Sequence, residues 1–327
     1  MVGLPLAHSL WATKAGIGLQ LSRNAHVRVP GTDEPLVSVV IATYNRSDVL
    51  RVALASVLDQ THSHLQIIVV GDGCTDDSEA IVTAMNDQRV EWVGLERNSG
   101  SQSAPNNAGI QRARGEFVAY LGHDDVWLRN HVALAVRTLR QTAADLVMSG
   151  ILGLGPTHSG IAMLANVGAD PRQAAWHAPS CVVHRRATIE VVGEWRDFRT
   201  IDAPPDAEFI QRFAIAGRRT EFVPGLTVVK FPSAWEPGSY RTGTAQQQQA
   251  VFARSRSKLF FVEQELARYW WGRRRGSVPP PRFTWDSADG DPPRGWQVHL
   301  FRKARGLPPL ESEEGGSPLS SPHSPVD

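Results

Sequence analysis

Short β-branched runs alternate with segments of helical spacing over the first half of this chain. Val37-Ser38-Val39-Val40-Ile41-Ala42 is a run of the fully buried strand type, closed by the polar turn Thr43-Tyr44-Asn45-Arg46. Val49, Val52, Ala53 and Val57 then recur at helical spacing up to Gln60, and Leu65-Gln66-Ile67-Ile68-Val69-Val70 is a second buried strand that ends at Gly71-Asp72-Gly73. The pattern continues with a helix over about Asp76 to Asn86, a short strand at Val90 to Gly94 and a helix near Asn107 to Arg114. It then gives the strand Phe117 to Leu121, a helix over about His131 to Thr142 and a strand at Asp145 to Ser149. Strand and helix in strict alternation predict an α/β fold, a mainly parallel sheet flanked by helices on both faces. Ligands of such sheets bind at the carboxyl ends of the strands. Three polar or acidic turns fall there: Thr43-Tyr44-Asn45, Asp72-Gly73 and Asp124-Asp125.

Beyond Gly150 the alternation weakens. Gly150 to Gly160 reads as a loop, Ser180 to His184 as a strand, Ala207 to Ala216 as a helix and Leu226 to Phe231 as an edge strand. A longer helical pattern runs from about Ala245 to Trp271, with Phe252, Leu259, Val262, Leu266 and Trp270 on one seam. From Gly276 the Pro, Gly and Ser content rises and periodicity stops, which predicts a disordered tail. Met1 to Pro35 shows no sustained period and ends in a turn-rich stretch. The expected division is therefore an extension (1–35), a catalytic-sized domain (36–240), a C-terminal amphipathic helix (241–275) and a tail (276–327).

Composition narrows the classes of partner. The net charge of +1 supplies no global field toward nucleic acid, so no nucleic-acid partner is expected. No stretch approaches the roughly 20 apolar residues that span a bilayer, and the first residues do not make a secretory signal. The two cysteines, Cys74 and Cys181, match no CxxC spacing and suit a reducing compartment. These features predict a cytoplasmic protein. Tyr269-Trp270-Trp271-Gly272-Arg273-Arg274-Arg275 closes the long helical pattern. Aromatics beside arginines suit peripheral contact with a membrane through residues 245–275. A helix packed on the domain, with its arginines simply solvated, is the other reading.

Four motifs in order resemble family 2 glycosyltransferases of the GT-A fold, over about Pro35 to Asp145 and more loosely to about Tyr240. They are Val37 to Arg46, Ser56-Val57-Leu58-Asp59-Gln60-Thr61, Ile67 to Asp77, and Arg114-Gly115-Glu116-Phe117-Val118-Ala119-Tyr120-Leu121-Gly122-His123-Asp124-Asp125. The resemblance implies a GT-A fold and inverting transfer of a sugar from a nucleotide-diphosphate-sugar donor, most simply a UDP-sugar, to a hydroxyl of a glycan, a lipid-linked acceptor or a small molecule. It also implies Mn2+ or Mg2+, because a divalent cation on carboxylate oxygen neutralises the charge that grows on a departing diphosphate.

By the same resemblance Asp125 binds the metal and Asp124 the donor ribose or the metal shell. Ala42, Thr43 and Tyr44 wall the nucleotide pocket, and Asp72 accepts a hydrogen bond from the base. An Asx-turn closing the strand is the plain alternative for Asp72. The chain departs from the family in carrying Gly71 where an aspartate is common, and Pro105-Asn106-Asn107 where many members have an arginine before the asparagine. Inversion needs a base for the acceptor proton. Asp206, in Pro205-Asp206-Ala207-Glu208-Phe209, matches the family's late acidic motif, with Glu208 and Asp202 in reserve and a helix N-cap as the structural alternative. His177 and His184 lie near Cys181, but the spacing fits no zinc pattern and favours a structural histidine. Two other classes remain to be weighed. A nucleotidyltransferase would carry a Gly-rich, Lys-bearing phosphate loop, which is absent. A nucleotide-sugar-binding module without catalysis is opposed by the retained Asp124, Asp125 and Asp206.

Overall fold

The computed structural model describes residues 34–154, 161–165, 178–231, 238, 244–276 and 296–307. Nine strands in these residues form one sheet in the order β3-β2-β1-β4-β8-β6-β9-β5, with β7 paired to β6. The strands are β1 (Val37–Thr43), β2 (Leu65–Asp72), β3 (Val90–Leu95), β4 (Phe117–Gly122), β5 (Val126–Trp127), β6 (Leu146–Leu154), β7 (Ile161–Ala165), β8 (Val182–Arg185) and β9 (Thr220–Lys230). β1 to β4 pair in parallel, as the alternation predicts. The helices that cross between them are α1 (Ser47–Leu58), α2 (Ser78–Ala84) and α3 (Ser103–Arg112), and α4 (His131–Thr142) leads from β5 to β6. In the second half β8 runs antiparallel between β4 and β6, and β9 lies parallel to β6 and antiparallel to β5. The fold is the α/β sandwich expected, with an antiparallel continuation that brings late residues beside β4.

Register at the amino edge of the sheet is fixed by a buried polar cluster rather than by apolar packing alone. Ser38 Oγ donates to Gln66 Oε1 at 2.7 Å and accepts from the backbone N–H groups of Arg114 and Gly115. Gln66 Nε2 in turn donates to Glu91 and to the Arg112 carbonyl. A one-residue slip of β1, β2 or β4 would leave these groups buried and unpaired, which costs about 1–3 kcal/mol per group. The opposite, carboxyl edge is thereby aligned, and there the site residues lie.

Several expectations need correction. The stretch after Gly150 is not a loop from the start: β6 continues to Leu154 because Ile151 to Leu154 find β7 on one side and Ile151 to Gly153 find β9 on the other. β9 is not an edge strand, since it pairs on both sides and begins at Thr220. The helix read at Asn107 starts at Ser103, Pro105 being tolerated in its first turn, where no intrahelical N–H bond is lost. The single C-terminal helix is two, α6 (Pro205–Ile215 being α5) at Gln246–Ser257 and α7 at Phe261–Arg275. Lys258 is extended and breaks the seam, leaving Leu259 and Trp270 exposed. Finally, the segment read as a disordered tail contains helix α8 (Trp296–Arg305). Its Val298 and Arg302 are buried, Arg302 donates to Asn98 Oδ1 at 2.9 Å, and His299 meets the Phe198 ring edge-on. The rest of the tail and residues 1–33 lie outside the described residues, as does His177.

The seam of the C-terminal helices packs on the domain. Val251 and Phe261 are buried in one cluster with Val49 and Val52 of α1, Val126, Leu128, Leu226 and Val229, and Phe252, Val262, Leu266 and Tyr269 lean on it. Arg256 pairs with Asp59 at the end of α1, and buried Glu265 joins Arg254 of α6 to Arg268 of α7. No helix among the described residues is long and apolar enough to cross a membrane. A chain ending at Thr244 would bare the Val49–Val52 face, and we expect it to precipitate or to melt well below the full chain by differential scanning fluorimetry. A chain ending at Gly276 retains α6 and α7 and should keep a cooperative melt, with a smaller loss of Tm from the missing α8.

Candidate active site

Three strand ends of the parallel half build one rim of the site. β1 ends in a turn with Asn45 and Arg46 at positive φ, conformations uncommon outside glycine. The Asn45 side chain holds that turn by accepting from the backbone N–H groups of Thr75 and Asp76 in the loop after β2. Thr43 is buried, and its hydroxyl and the Tyr44 N–H both meet Nδ1 of His123, at 3.0 and 3.3 Å. His123 therefore ties the Ala42-Thr43-Tyr44 wall to the acidic turn after β4. Sequence reading quoted this histidine within the motif but gave it no role.

Asp72 closes β2 and is almost fully buried. Its Oδ1 accepts from the Ser99 N–H at 2.9 Å, and its Oδ2 from Asn98 Nδ2 and the Ser99 hydroxyl at 2.9 and 3.0 Å. Burial raises its pKa, and the Ser99 hydrogen bonds, with the Arg302 charge, work against that rise. The partners come from the loop after β3, so the carboxylate braces two strand-end loops rather than closing its own turn. Asn98-Ser99-Gly100-Ser101 carries the turn composition that marks such a loop, and that was the available signal for it.

Gly71, the departure from the family pattern, has a local cause. A Cβ there would stand 2.3 and 2.4 Å from ring atoms of Trp92 on β3. The indole covers this face of β2, and any side chain at 71 would have to displace it.

Asp125 is the most enclosed acid of the site, 1% exposed. Its Oδ2 accepts from the Ser180 hydroxyl and from Lys230 Nζ at 2.8 Å, and its Oδ1 from the Phe231 N–H at 3.3 Å. Burial pushes its pKa up, with Lys230 opposing and Asp124 reinforcing the shift. Three donors converging on both oxygens are the partner set of an ionised carboxylate. Ser180 is itself fixed, its hydroxyl accepting from the Gly122 N–H and its carbonyl from Trp127 Nε1 at 2.7 Å. At Gly122 a Cβ would lie 3.0 Å from Asp125 Oδ2 and 3.1 Å from Asp124 Oδ1, so the two carboxylates approach a common point beside that glycine.

This donor set does not fit a divalent cation, contrary to the metal expected at Asp125. Both lone pairs of Oδ2 serve Ser180 and Lys230, and an ammonium already stands where a second cation would have to enter. Among the described residues no group of three or more His, Cys, Asp or Glu side chains could hold a metal ion.

Asp206 sits in the first turn of α5, after Pro204 at the N-cap and Pro205 at N1. No side-chain cap hydrogen bond is made at this helix start, and the Asp206 Oδ1 accepts from the adjacent Ala207 N–H at 2.9 Å. Burial drives its pKa up to about 6, opposed by that hydrogen bond and then by the Lys230 charge. Lys230 thus acts on both Asp125 and Asp206, and the second half of the chain delivers it through β9, where Lys230 pairs with Gly153 of β6. The reserve acids are differently placed. Glu208 is bound by Arg196 and Arg212, and Asp202 is on an exposed stretch before α5. His184 is structural: Nδ1 donates to the Arg185 carbonyl, Nε2 accepts from the Tyr120 hydroxyl, and burial lowers its pKa to about 4.

With the geometry in hand, the chain can be set beside known proteins. The family model described as glycosyl transferase family 2 matches residues 38–157. Over residues 38–157 the chain is similar to family 2 glycosyltransferases. A Bacillus subtilis (strain 168) protein, named provisionally as the teichuronic acid biosynthesis glycosyltransferase TuaG, is 35% identical over 119 residues, 36% of this chain and 47% of that one. The Escherichia coli UDP-Glc:alpha-D-GlcNAc-diphosphoundecaprenol beta-1,3-glucosyltransferase WfgD is 30% identical over 104 residues, 32% of this chain and 41% of that one. The matches span less than half the length of these curated relatives. S. aureus TarS 1–349, solved in complex with UDP-GlcNAc, resembles the fold over 82% of this chain and 81% of that chain, with a TM-score of 0.51 at 17% identity.

The family 2 domain match includes Asp72, Asp124 and Asp125 and stops before Ser180, Asp206 and Lys230. Half of the site therefore comes from sequence outside the matched stretch. Lys230 had one signal in the sequence. It closes an apolar strand in a chain with four lysines against 30 arginines, where a lysine at a strand end is not compositional background.

The Gly71 packing gives a direct test. Gly71→Ala should cost about 1–3 kcal/mol of stability, the usual range for overpacking, measured by urea denaturation. Gly71→Ala with Trp92→Leu should lose less than the sum of the two single changes, since the clash is between these two positions.

Proposed function

We propose that the chain is an inverting glycosyltransferase that moves a sugar from a UDP-sugar to an acceptor hydroxyl, with Asp206 as the general base. The observation that carries this reading is the meeting of two differently tuned acids around Lys230. Asp125 accepts from three donors, whereas Asp206 accepts from the Ala207 N–H and has a pKa pushed up to about 6. A carboxyl poised near neutrality suits removal of a proton from a hydroxyl as it attacks. The Ala42-Thr43-Tyr44 wall and Asp72 serve the nucleoside half of the donor, Asp124 its ribose, and Asp125 stands enclosed behind them, bonded to Lys230. The Escherichia coli relative is named for a UDP-glucose donor and a diphosphoundecaprenol acceptor, which supports a UDP-sugar and a glycan or lipid-linked acceptor here. The Mn2+ or Mg2+ implied by the resemblance is not part of this proposal, because the oxygens of Asp125 are already engaged.

A lipid-linked acceptor would agree with the surface of α7. Leu259 and Phe260 before the helix and Trp270 and Trp271 near its end are each more than half exposed. Phe260 and Trp271 are 11 positions apart, about three helical turns, and so share a face. Arg268, Arg274, Arg275 and Lys258 are exposed beside them. Aromatic rings with cations on one helix face fit an anionic membrane surface, here the cytoplasmic one. The full chain should sediment with vesicles containing phosphatidylglycerol and not with phosphatidylcholine alone, and Phe260→Ser with Trp271→Ser should abolish this. Equal recovery on both vesicle types would remove the membrane role.

The activity is tested by release of nucleoside diphosphate from UDP-, GDP- and dTDP-sugars. Asp206→Asn should retain donor affinity and lose at least ~100-fold in turnover, the range expected for a general base. Turnover that survives the change would exclude Asp206 as base. The pKa also fixes a sign for stability. A carboxyl raised from about 4 to about 6 folds more readily when neutral, so its burial cost develops as pH rises through that window and is full above it. Asp206→Asn should therefore raise Tm relative to the parent at pH 8 and leave it little changed at pH 4.

A further inference from the structure

Glycosyl transfer from a nucleotide sugar leaves a growing negative charge on the diphosphate, and some cation has to meet it. In this site the cation in contact with the acidic turn is a side chain. Lys230 is the last residue of β9, held by pairing with Gly153 of β6, while its neighbour Val229 pairs with Val126 of β5, one residue after Asp125. The backbone on both sides is thus fixed, and the Lys230 side chain runs to Asp125 Oδ2 at 2.8 Å. The carboxylate end of this pair is fully enclosed, whereas the lysine side chain is 19% exposed, so the lysine is the member of the pair that reaches the surface of the site. The Phe231 N–H, next in the chain, binds the other oxygen of the same carboxylate, so Asp125 grips the end of β9 at two points.

We propose that the Lys230 ammonium, held by Asp125, is the cation that receives the donor diphosphate, so that transfer proceeds without a divalent metal ion. The inference rests on the glycosyltransferase reading above and names the counter-charge for that reaction. In the step it serves, the acceptor oxygen forms a bond to the anomeric carbon as the bond from that carbon to the diphosphate oxygen breaks. The electron pair of the broken bond goes to the diphosphate, beside the ammonium, and the acceptor proton goes to the Asp206 carboxylate. Asp125 is then a positioning residue: its carboxylate, fixed by hydrogen bonds from Ser180 and Phe231, aims the lysine. The arrangement also accounts for the loss of room at Asp125 for a metal, since its Oδ2 is saturated by Ser180 and Lys230.

The test uses the full chain and isothermal titration with UDP, UMP and uridine, each in EDTA and in excess Mn2+ or Mg2+. UDP should bind the parent protein in EDTA, with an affinity that either metal changes by less than about threefold, under 1 kcal/mol. Lys230→Met should weaken UDP at least ~10-fold, about 1.4 kcal/mol, while leaving uridine unaltered and UMP less affected than UDP. Lys230→Arg should recover part of the UDP affinity. Because Lys230→Met leaves a buried carboxylate without its counter-ion, the same titrations are made on Asp125→Asn with Lys230→Met, which removes both charges and should show the same selective loss. The proposal is overturned if EDTA abolishes UDP binding by the parent and a metal restores it. It is equally overturned if the lysine variants lose uridine as much as UDP, or lose neither. Absence of any nucleotide binding, with or without metal, would instead defeat the donor reading on which the inference stands.

Discussion

A carboxylate sealed from water has to be compensated within the protein, and Asp125 sets that requirement for the whole site. Three donors meet it from two distant parts of the chain: Ser180 ahead of β8, and Lys230 with the Phe231 backbone at the end of β9. Removing one partner of such a group costs far more than the net worth of an exposed pair. The antiparallel continuation of the sheet therefore does more than add strands. By inserting β8 between β4 and β6 and laying β9 against β6, it brings residues from the second half of the chain to the acidic turn after β4.

The electrostatic contrast between Asp125 and Asp206 follows from the same arrangement. Both are desolvated, yet one is surrounded by donors and the other is left with one local N–H. Burial raises both carboxyls and the Lys230 charge opposes both rises, but the hydrogen-bonding around them differs. The lysine links them, since its charge opposes the burial of each.

The first half of the fold was legible because β1, β2 and β4 are buried on both faces and so read as largely apolar runs. β1, β2 and β4 fall where Val37–Ala42, Leu65–Val70 and Phe117–Leu121 predicted them, and the strand-end turns carry Asp72, Asp124 and Asp125. The second half was not, for physical reasons. β6 continues through glycines at 150 and 153 that interrupt any pattern, and is held by neighbours far away in sequence. The helical break at Lys258 lies inside a seam whose periodicity alone shows no interruption, and α8 lies in a segment whose overall composition hides ten helical residues. Site chemistry followed the same division. Motif carboxylates were readable, while Ser180, Asn98, Ser99 and Lys230 gain their roles only from the pairing of strands and loops.

One contact of α8 reaches further than its modest burial suggests. Arg302 donates to Asn98, which in turn donates to Asp72 at the end of β2, and His299 of the same helix meets Phe198 in the stretch leading to α5 and Asp206. A helix 204 residues downstream of Asn98 therefore ties the loop after β3 to the stretch that leads to α5. Any movement that separates the loop after β3 from the stretch before α5 must first break one of these two contacts, so α8 couples two segments far apart in sequence.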